Sequence, residues 1–129
     1  MQSFTWQTPI TRIVFGDGAS DALGDELDRL SLDRVLILCS PGRTSLADSI
    51  AAALGGERAA VSPVSESGMP RAAFGLLKAD VERTGAEALV ALGGGSPIGL
   101  AKAWAAETGG PVVAVVTTYS GSEMQNNWY

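Results

Sequence analysis

The chain alternates between short apolar runs and longer segments in which apolar residues recur at helical spacing. The uninterrupted runs at 35–39 and 88–92 are typical of strands that are covered on both faces. Shorter β-type runs predict three further strands, at residues 12–15, 59–64 and 112–116. Because the intervals between most of these strands are long enough for a helix, the pattern predicts a layered α/β domain.

Four helices are predicted between these strands, and turn-forming residues mark several of their ends. They are the segment after Ser20, which is a candidate N-cap, residues 45–54, residues 70–84, and the segment that begins near Ser96. Gly55 and Gly85 are placed to end the second and third of them. Since parallel neighbouring strands need crossover helices, we expect a doubly wound, mostly parallel, Rossmann-like sheet with helices on both faces.

Composition and charge narrow the partners that such a domain could have. The net charge is −5, and no cluster of lysine and arginine forms a stripe that could neutralise successive phosphates of a nucleic acid. No leader or membrane-spanning run is evident. The single cysteine, Cys39, lies within an apolar run and is expected to be a buried, inert thiol, as in a reducing cytoplasm. We expect one cytoplasmic domain over residues 1–129 that binds neither nucleic acid nor membranes.

The segment LVALGGGSPIGLAKA is the strongest candidate for a binding site. In open α/β sheets the loops after the strands converge on one crevice, here the loops after Cys39, Leu92 and Val116. Consecutive glycines let an anion approach main-chain amides, and the following helix directs its positive end to the same point, so a diphosphate would fit there. The other interpretation is a tight strand-to-helix turn with Ser96 as N-cap, and spacing alone leaves both open.

Candidates for catalysis are few, because the sequence contains no histidine. That removes the commonest general base at neutral pH and the commonest metal ligand, and the scattered acidic residues show no metal-ligand spacing, so no metal site is predicted. Tyr119 and Glu123 are the plausible proton-transfer groups of the terminal loop, residues 117–129. Their alternatives are a packing residue and a helix-cap or surface carboxylate, respectively.

Two segments resemble one protein family. GGGSPIGLAKA is similar to the GGGSxxDxAK motif of the iron-containing alcohol dehydrogenase superfamily, and PVVAVVTTYSGSEM to the segment whose Thr-Thr pair contacts the nucleotide there. Gly99 in place of the motif's aspartate, together with the short TTYSGSEM, resembles the maleylacetate reductase branch. The resemblance extends over essentially the whole chain, and the family proteins are considerably longer.

The resemblance implies a nicotinamide dinucleotide, NADH or NADPH, as cofactor. The cofactor-binding residues that it implies are Gly94, Gly95 and Ser96 at the pyrophosphate, Thr117 and Thr118 at the inner part of the nucleotide, and Ser122 towards the nicotinamide. Many members carry an acidic residue for the adenosine ribose where this chain has Ser40. Without that carboxylate we expect NADPH to be tolerated, with Arg43 either binding the 2′-phosphate or remaining a solvated surface charge.

The function that follows from the resemblance is the NAD(P)H-binding domain of a maleylacetate reductase-like oxidoreductase. The family's helical C-terminal domain supplies much of the substrate site, so the 129 residues are expected to be a truncated part that is incomplete for catalysis alone. The expected protein partners are a second copy of the chain in a homo-oligomer, or a separate partner that carries the C-terminal domain. The alternative is a stand-alone, repurposed module, either a non-redox enzyme or a binding or assembly protein, that uses the terminal loop 117–129.

Overall fold

The structure, a computed structural model, describes residues 2–7, 11–63, 70–118 and 121–124. Of the residues inside its helices and strands, the side chains of Trp6, Gln7, Pro70, Arg71 and Ser122 are outside that description. The chain divides into two compact units, Met1–Ser31 and Leu32–Tyr129, each with its own internal contacts. The expectation of one domain over residues 1–129 stays a prediction, and the two units are described separately.

The first unit contains a hairpin of strands and one helix. Strand β1 (Phe4–Gln7) pairs antiparallel with β2 (Arg12–Phe15), and the Phe4 and Phe15 rings stack with their centroids 4.9 Å apart. The strand at 12–15 was predicted, whereas β1 was missed although FTWQ is rich in residues that favour strands.

A 3₁₀ turn, Ala19–Ala22, leads from the hairpin into α1 (Leu23–Arg29). Ser20 is therefore not the N-cap that the sequence suggested: it lies inside the 3₁₀ turn, and no side chain caps α1. Instead, the Arg12 guanidinium ties β2 to α1 through a 2.9 Å ion pair with Glu26.

The described residues of the second unit form seven strands and helices in strict alternation. They are β3 (Val35–Cys39), α2 (Thr44–Leu54), β4 (Ala59–Pro63), α3 (Pro70–Thr84), β5 (Ala88–Gly93), α4 (Gly95–Thr108) and β6 (Val112–Val116). Short 3₁₀ turns lie at Pro41–Arg43 and Ser122–Met124. The strand order is β4-β3-β5-β6, and every neighbouring pair is parallel. Each predicted strand and helix of this unit is confirmed to within one or two residues at its described ends, the usual ambiguity of element boundaries. Val64, the predicted last residue of the strand at 59–64, lies outside the described residues.

Helices cover the two faces of this sheet. One face carries Leu36, Leu38 and Leu89, which pack against residues of α3 and α4, among them Leu77 and Trp104. Side chains alternate along a strand, so Val35, Ile37 and Cys39 project from the opposite face, and all three are buried. Helix α2 contacts β3 and β4. The predicted doubly wound α/β fold is confirmed.

The ends of the helices show where the turn residues were interpreted correctly. Gly55 follows α2 directly, and Gly85 follows α3 with a left-handed φ of 68° that favours glycine.

None of the helices in the described ranges combines the length and the apolar content that a bilayer crossing requires.

Candidate functional site

A cleft of about 470 Å³ opens between the carboxyl ends of β3 and β5, the point from which the following strands are added on opposite sides. From β3 the chain crosses to β4 on one side, and from β5 it crosses to β6 on the other. The loops that leave β3 and β5 therefore separate at the carboxyl edge of the sheet, which is where open α/β sheets bind ligands. The described residues that line the cleft are Ser40, Gly42, Arg43, Gly93, Gly94, Gly95, Ser96, Thr117 and Thr118.

This lining contains every cofactor-binding residue predicted from the sequence except Ser122. The loops after β3, β5 and β6 converge as the strand assignment required. Two further residues of the lining, Gly42 and Gly93, were not predicted. Both lie within the predicted loops, Gly42 between Ser40 and Arg43, and Gly93 as the first of three consecutive glycines, so the loop boundaries themselves could have identified them.

The glycine turn after β5 is shaped by its first two residues. Gly93 has a φ of 134°, a conformation that other residues rarely adopt, and its carbonyl accepts a 3.0 Å hydrogen bond from the Thr117 N–H. That bond holds the end of β6 beside the turn. A Cβ added at Gly94 would lie 3.5 Å from the Thr118 Cβ, so the bare backbone of Gly94 keeps the gap between the two loops open.

Helix α4 begins at this turn, and its first N–H groups are left for another acceptor. Gly94 is the N-cap, no side chain caps the helix, and the first intrahelical bond runs 3.3 Å from the Ile98 N–H to the Gly94 carbonyl. Ser96 is thus an exposed residue of the first turn and not the cap. Neither the Gly95 nor the Ser96 N–H donates to an acceptor within the described ranges. Such groups project from the N-terminal end of a helix and form an anion-binding site.

The opposite wall of the cleft is formed by the turn after β3 and carries a positive charge. Arg43 is exposed, and within the described lining it is the one charged side chain. Its N–H donates to the Ser40 carbonyl over 2.9 Å, and α2 starts at the next residue. A cation and a second helix N-terminus therefore stand beside the glycine turn, so the cleft favours a ligand with more than one anionic group.

Cys39 lies directly beneath this wall but contributes no reactive group to it. Its side chain is fully buried. Burial raises the pKa of the Cys39 thiol, although a hydrogen bond with the Thr44 hydroxyl acts in the opposite direction. The predicted burial of Cys39 is confirmed. Its inertness stays a prediction, which the raised pKa and the burial both favour.

The proposed proton-transfer groups and Ser122 are not placed in the cleft. Tyr119 lies outside the described residues. Ser122 begins the 3₁₀ turn that contacts α4, but its side chain is not described. Glu123 is half-buried in the same turn and is not among the described residues of the lining. Their catalytic and binding roles stay predictions.

Comparison with known proteins assigns this architecture to a family. A family profile described as iron-containing alcohol dehydrogenase matches residues 10–129. The chain belongs to this family. Among its relatives, the maleylacetate reductase of Burkholderia cepacia is 38% identical over 124 residues, which is 96% of this chain and 35% of that protein. Maleylacetate reductase 2 of Cupriavidus pinatubonensis is 43% identical over 122 residues, which is 91% of this chain and 33% of that protein.

A solved maleylacetate reductase has the same fold over nearly the whole chain. The maleylacetate reductase of Rhizobium sp. strain MTP-10005 superposes with a TM-score of 0.81 at 39% identity, covering 95% of this chain and 35% of that structure. The resemblance to the maleylacetate reductase branch is thus confirmed. The chain spans about a third of the length of the relatives it matches.

The family's name implies iron, and the residues described do not fit an iron site. A metal ion of this kind needs several nitrogen, oxygen or sulfur ligands that converge from fixed elements. The sequence has no histidine, and within the described ranges no three cysteine, aspartate or glutamate side chains are grouped so that they could hold a metal ion. No step of the proposed chemistry is assigned to a metal held by these residues.

Proposed function

We propose that the chain is the NAD(P)H-binding part of a maleylacetate reductase-like oxidoreductase. The observation that carries the proposal is the cleft between β3 and β5, which is lined by a glycine turn, the N-terminal end of α4 and Arg43. These features favour a diphosphate with an additional anionic group nearby, and both are present in NADPH. The membership in the family and the similarity to maleylacetate reductases support the same cofactor class.

In this proposal the diphosphate lies against the main chain of Gly94, Gly95 and Ser96. Their N–H groups need an acceptor, and Gly94 has no side chain to keep a phosphate away. Thr117 and Thr118 face the same space from the end of β6. Their hydroxyls can donate to the phosphate or ribose oxygens of the inner part of the nucleotide.

The adenosine end of the dinucleotide is assigned to the turn after β3. A carboxylate at this place would accept the ribose hydroxyls and repel a 2′-phosphate, but the position is occupied by Ser40. Arg43 and the N-terminal end of α2 provide positive charge there. We therefore expect NADPH to bind at least as tightly as NADH.

The reaction is proposed from the similarity to maleylacetate reductases. When bound, a reduced nicotinamide would supply a hydride to a carbon–carbon double bond or a ketone of a maleylacetate-like substrate and become oxidised. A proton taken up from solvent would complete the reduction. The part played by this chain is to hold and orient the dinucleotide at the carboxyl edge of its sheet. Because it spans about a third of these relatives, turnover is expected to need further residues, which a C-terminal-domain partner would supply.

The alternative function, a stand-alone module that uses residues 117–129, receives no support from a specific contact. Most of that loop lies outside the described residues. The alternative therefore stays a prediction.

The proposed function is tested by titrating the chain with NADPH and with NADH while following reduced-nicotinamide fluorescence. We expect saturable binding, and about tenfold or weaker affinity for Gly94→Ala, whose methyl group would occupy the gap beside Thr118. Gly99→Ala is the matched control, because a Cβ there meets nothing within 4 Å. Circular dichroism would verify that both variants fold. Absence of binding by the wild-type chain at millimolar nucleotide would reject the proposed function.

A further inference from the structure

The Thr44 side chain is hydrogen-bonded to the short turn that carries Arg43. The Thr44 hydroxyl donates to the Pro41 carbonyl over 2.9 Å, and the Arg43 N–H donates to the Ser40 carbonyl over the same distance. Pro41 adds a fixed φ to this short segment. The backbone that presents Arg43 to the cleft is thus closed by two hydrogen bonds, one of which depends on a side chain.

The Thr44 hydroxyl bonds backwards along the chain. Thr44 is the first residue of α2 and not its N-cap, and a threonine within a helix commonly donates to the carbonyl three or four residues earlier, as Thr84 and Thr108 also do. At Thr44 that carbonyl belongs to Pro41, in the turn before the helix. The bond therefore holds the turn to the first residue of α2.

The base of the turn is anchored in the core. Cys39, the residue before the turn, is fully buried at the end of β3. Thr44 itself is half-buried, whereas Pro41, Gly42 and Arg43 are exposed. The exposed segment has no buried side chain of its own, so its one side-chain hydrogen bond within the described residues is the bond from Thr44 to Pro41.

From this geometry we infer that Thr44 is a positioning residue for Arg43 and so for the nucleotide's 2′-phosphate. The inference rests on the proposed function. Thr44 does not touch the nucleotide in this assignment. Its hydroxyl fixes the backbone of the turn, which limits the positions that the long and otherwise mobile Arg43 side chain can reach. Loss of the hydroxyl should weaken recognition of the 2′-phosphate and leave the diphosphate and the rest of the nucleotide unaffected.

The test compares the dissociation constants of NADPH and NADH for the wild-type chain, Thr44→Val, Thr44→Ser and Arg43→Ala. Valine keeps the shape of threonine and removes the hydroxyl, whereas serine keeps the hydroxyl. We expect Thr44→Val to weaken NADPH about three- to tenfold with NADH unchanged, as partial loss of a charge-assisted bond implies. Thr44→Ser should match the wild type. The double variant of Thr44→Val and Arg43→Ala should lose no more than Arg43→Ala alone, because both changes act on one interaction.

Several results would overturn the inference while the proposed function stands. Equal weakening of NADPH and NADH by Thr44→Val would show that Thr44 supports the whole cleft, and unchanged affinities would show that the turn keeps its shape without the hydroxyl. Additive losses in the double variant would separate Thr44 from Arg43. Failure of the wild-type chain to bind either nucleotide would instead remove the proposed function, and this inference with it. A thermal melt of Thr44→Val close to that of the wild type shows that the comparison concerns folded protein.

Discussion

The interior of the parallel sheet and its carboxyl edge are built from the same two strands and have opposite character. Along β3 and β5 every residue is buried, and the side chains are apolar up to Cys39 and Leu92. Within a few residues of those positions the chain becomes glycine-rich, polar and exposed, and it lines a cleft of about 470 Å³. One strand thus provides the core over its length and the binding site at its end.

This difference separates stability from binding along a single strand. The interior is stabilised by removal of apolar surface from water, which needs no particular polar partner. The edge gains nothing from burial, and its N–H groups and cation are useful only with a ligand. Substitutions in the interior should therefore change the free energy of unfolding, and substitutions at the edge should change affinity, with the residue at the junction changing both.

The largest effect is expected in the interior, at Leu89. Its side chain is fully buried in β5 and belongs to the cluster that includes Trp104. Leu89→Ala should lower the free energy of unfolding by about 2–5 kcal/mol, because it removes buried methyl groups and leaves a cavity. Urea unfolding followed by tryptophan fluorescence measures this.

Leu76→Ala is the control for that prediction. Leu76 lies on α3 and is 71% exposed, so the same truncation should change the free energy by less than about 0.5 kcal/mol. Equal losses in the two variants would mean that the core does not lie where the structure places it.

The junction residue Gly93 is expected to give an intermediate effect on stability and a loss of affinity. Its φ of 134° is strained for any residue with a side chain, and an added Cβ would lie 3.2 Å from the Pro97 Cγ. Gly93→Ala should therefore cost about 1–3 kcal/mol of stability. The same distortion would move the carbonyl that holds Thr117, so NADPH affinity should also fall.

Gly94→Ala provides the comparison for Gly93→Ala, since its φ is −117° and its new methyl group would make only an ordinary contact. It should weaken binding without the cost in stability. Thermal melts and NADPH titrations of both variants would show the difference. If Gly93→Ala retained wild-type stability and affinity, Gly93 would not be the residue at which the stabilising interior meets the binding edge.

Most of the second unit could be predicted from the sequence because its pattern and its packing agree. The uninterrupted apolar runs at 35–39 and 88–92 have the composition of strands that are covered on both faces, and they are the fully buried strands β3 and β5. The strand order places their ends together, so the cleft lining followed from the strand assignment. Only through that topology could Arg43 and Thr118 be predicted to line the same cleft.

Other features depend on geometry that a one-dimensional pattern does not contain. Strand β1 is short, and its pairing with β2 is a tertiary contact. Ser20 and Ser96 were predicted as N-caps from residue type. Helix α1 instead begins after a 3₁₀ turn, and the N-cap of α4 is Gly94, because the local backbone and not the hydroxyl sets where each helix starts. The Thr44 hydroxyl bond to Pro41 could not be inferred, since it depends on the 3₁₀ turn at Pro41–Arg43, which the residue types alone do not specify.

The smallest expected effect concerns a carboxylate that lies away from both the core and the cleft. Asp80 on α3 accepts a 2.7 Å hydrogen bond from the Ser62 hydroxyl of β4 and forms an exposed ion pair with Arg83. The Ser62 hydrogen bond holds the pKa of the Asp80 carboxyl below its ordinary value, with a smaller contribution from Arg83 and with partial burial acting in the opposite direction.

A lowered folded-state pKa means that Asp80 stabilises the fold above the pKa of the unfolded chain, about 3.9, and that this contribution is lost as the pH falls through the lower folded value. Asp80→Asn should therefore reduce stability at pH 7 by less than about 1 kcal/mol, and its difference from the wild type should shrink below about pH 4. Urea unfolding at several pH values measures the trend. Asp33→Asn, at an exposed position, is the control and should run parallel to the wild type. If Asp80→Asn did the same, the Ser62 bond would contribute no charge-dependent stability. The carboxylate would then belong with the solvated surface, outside the comparison between core and edge.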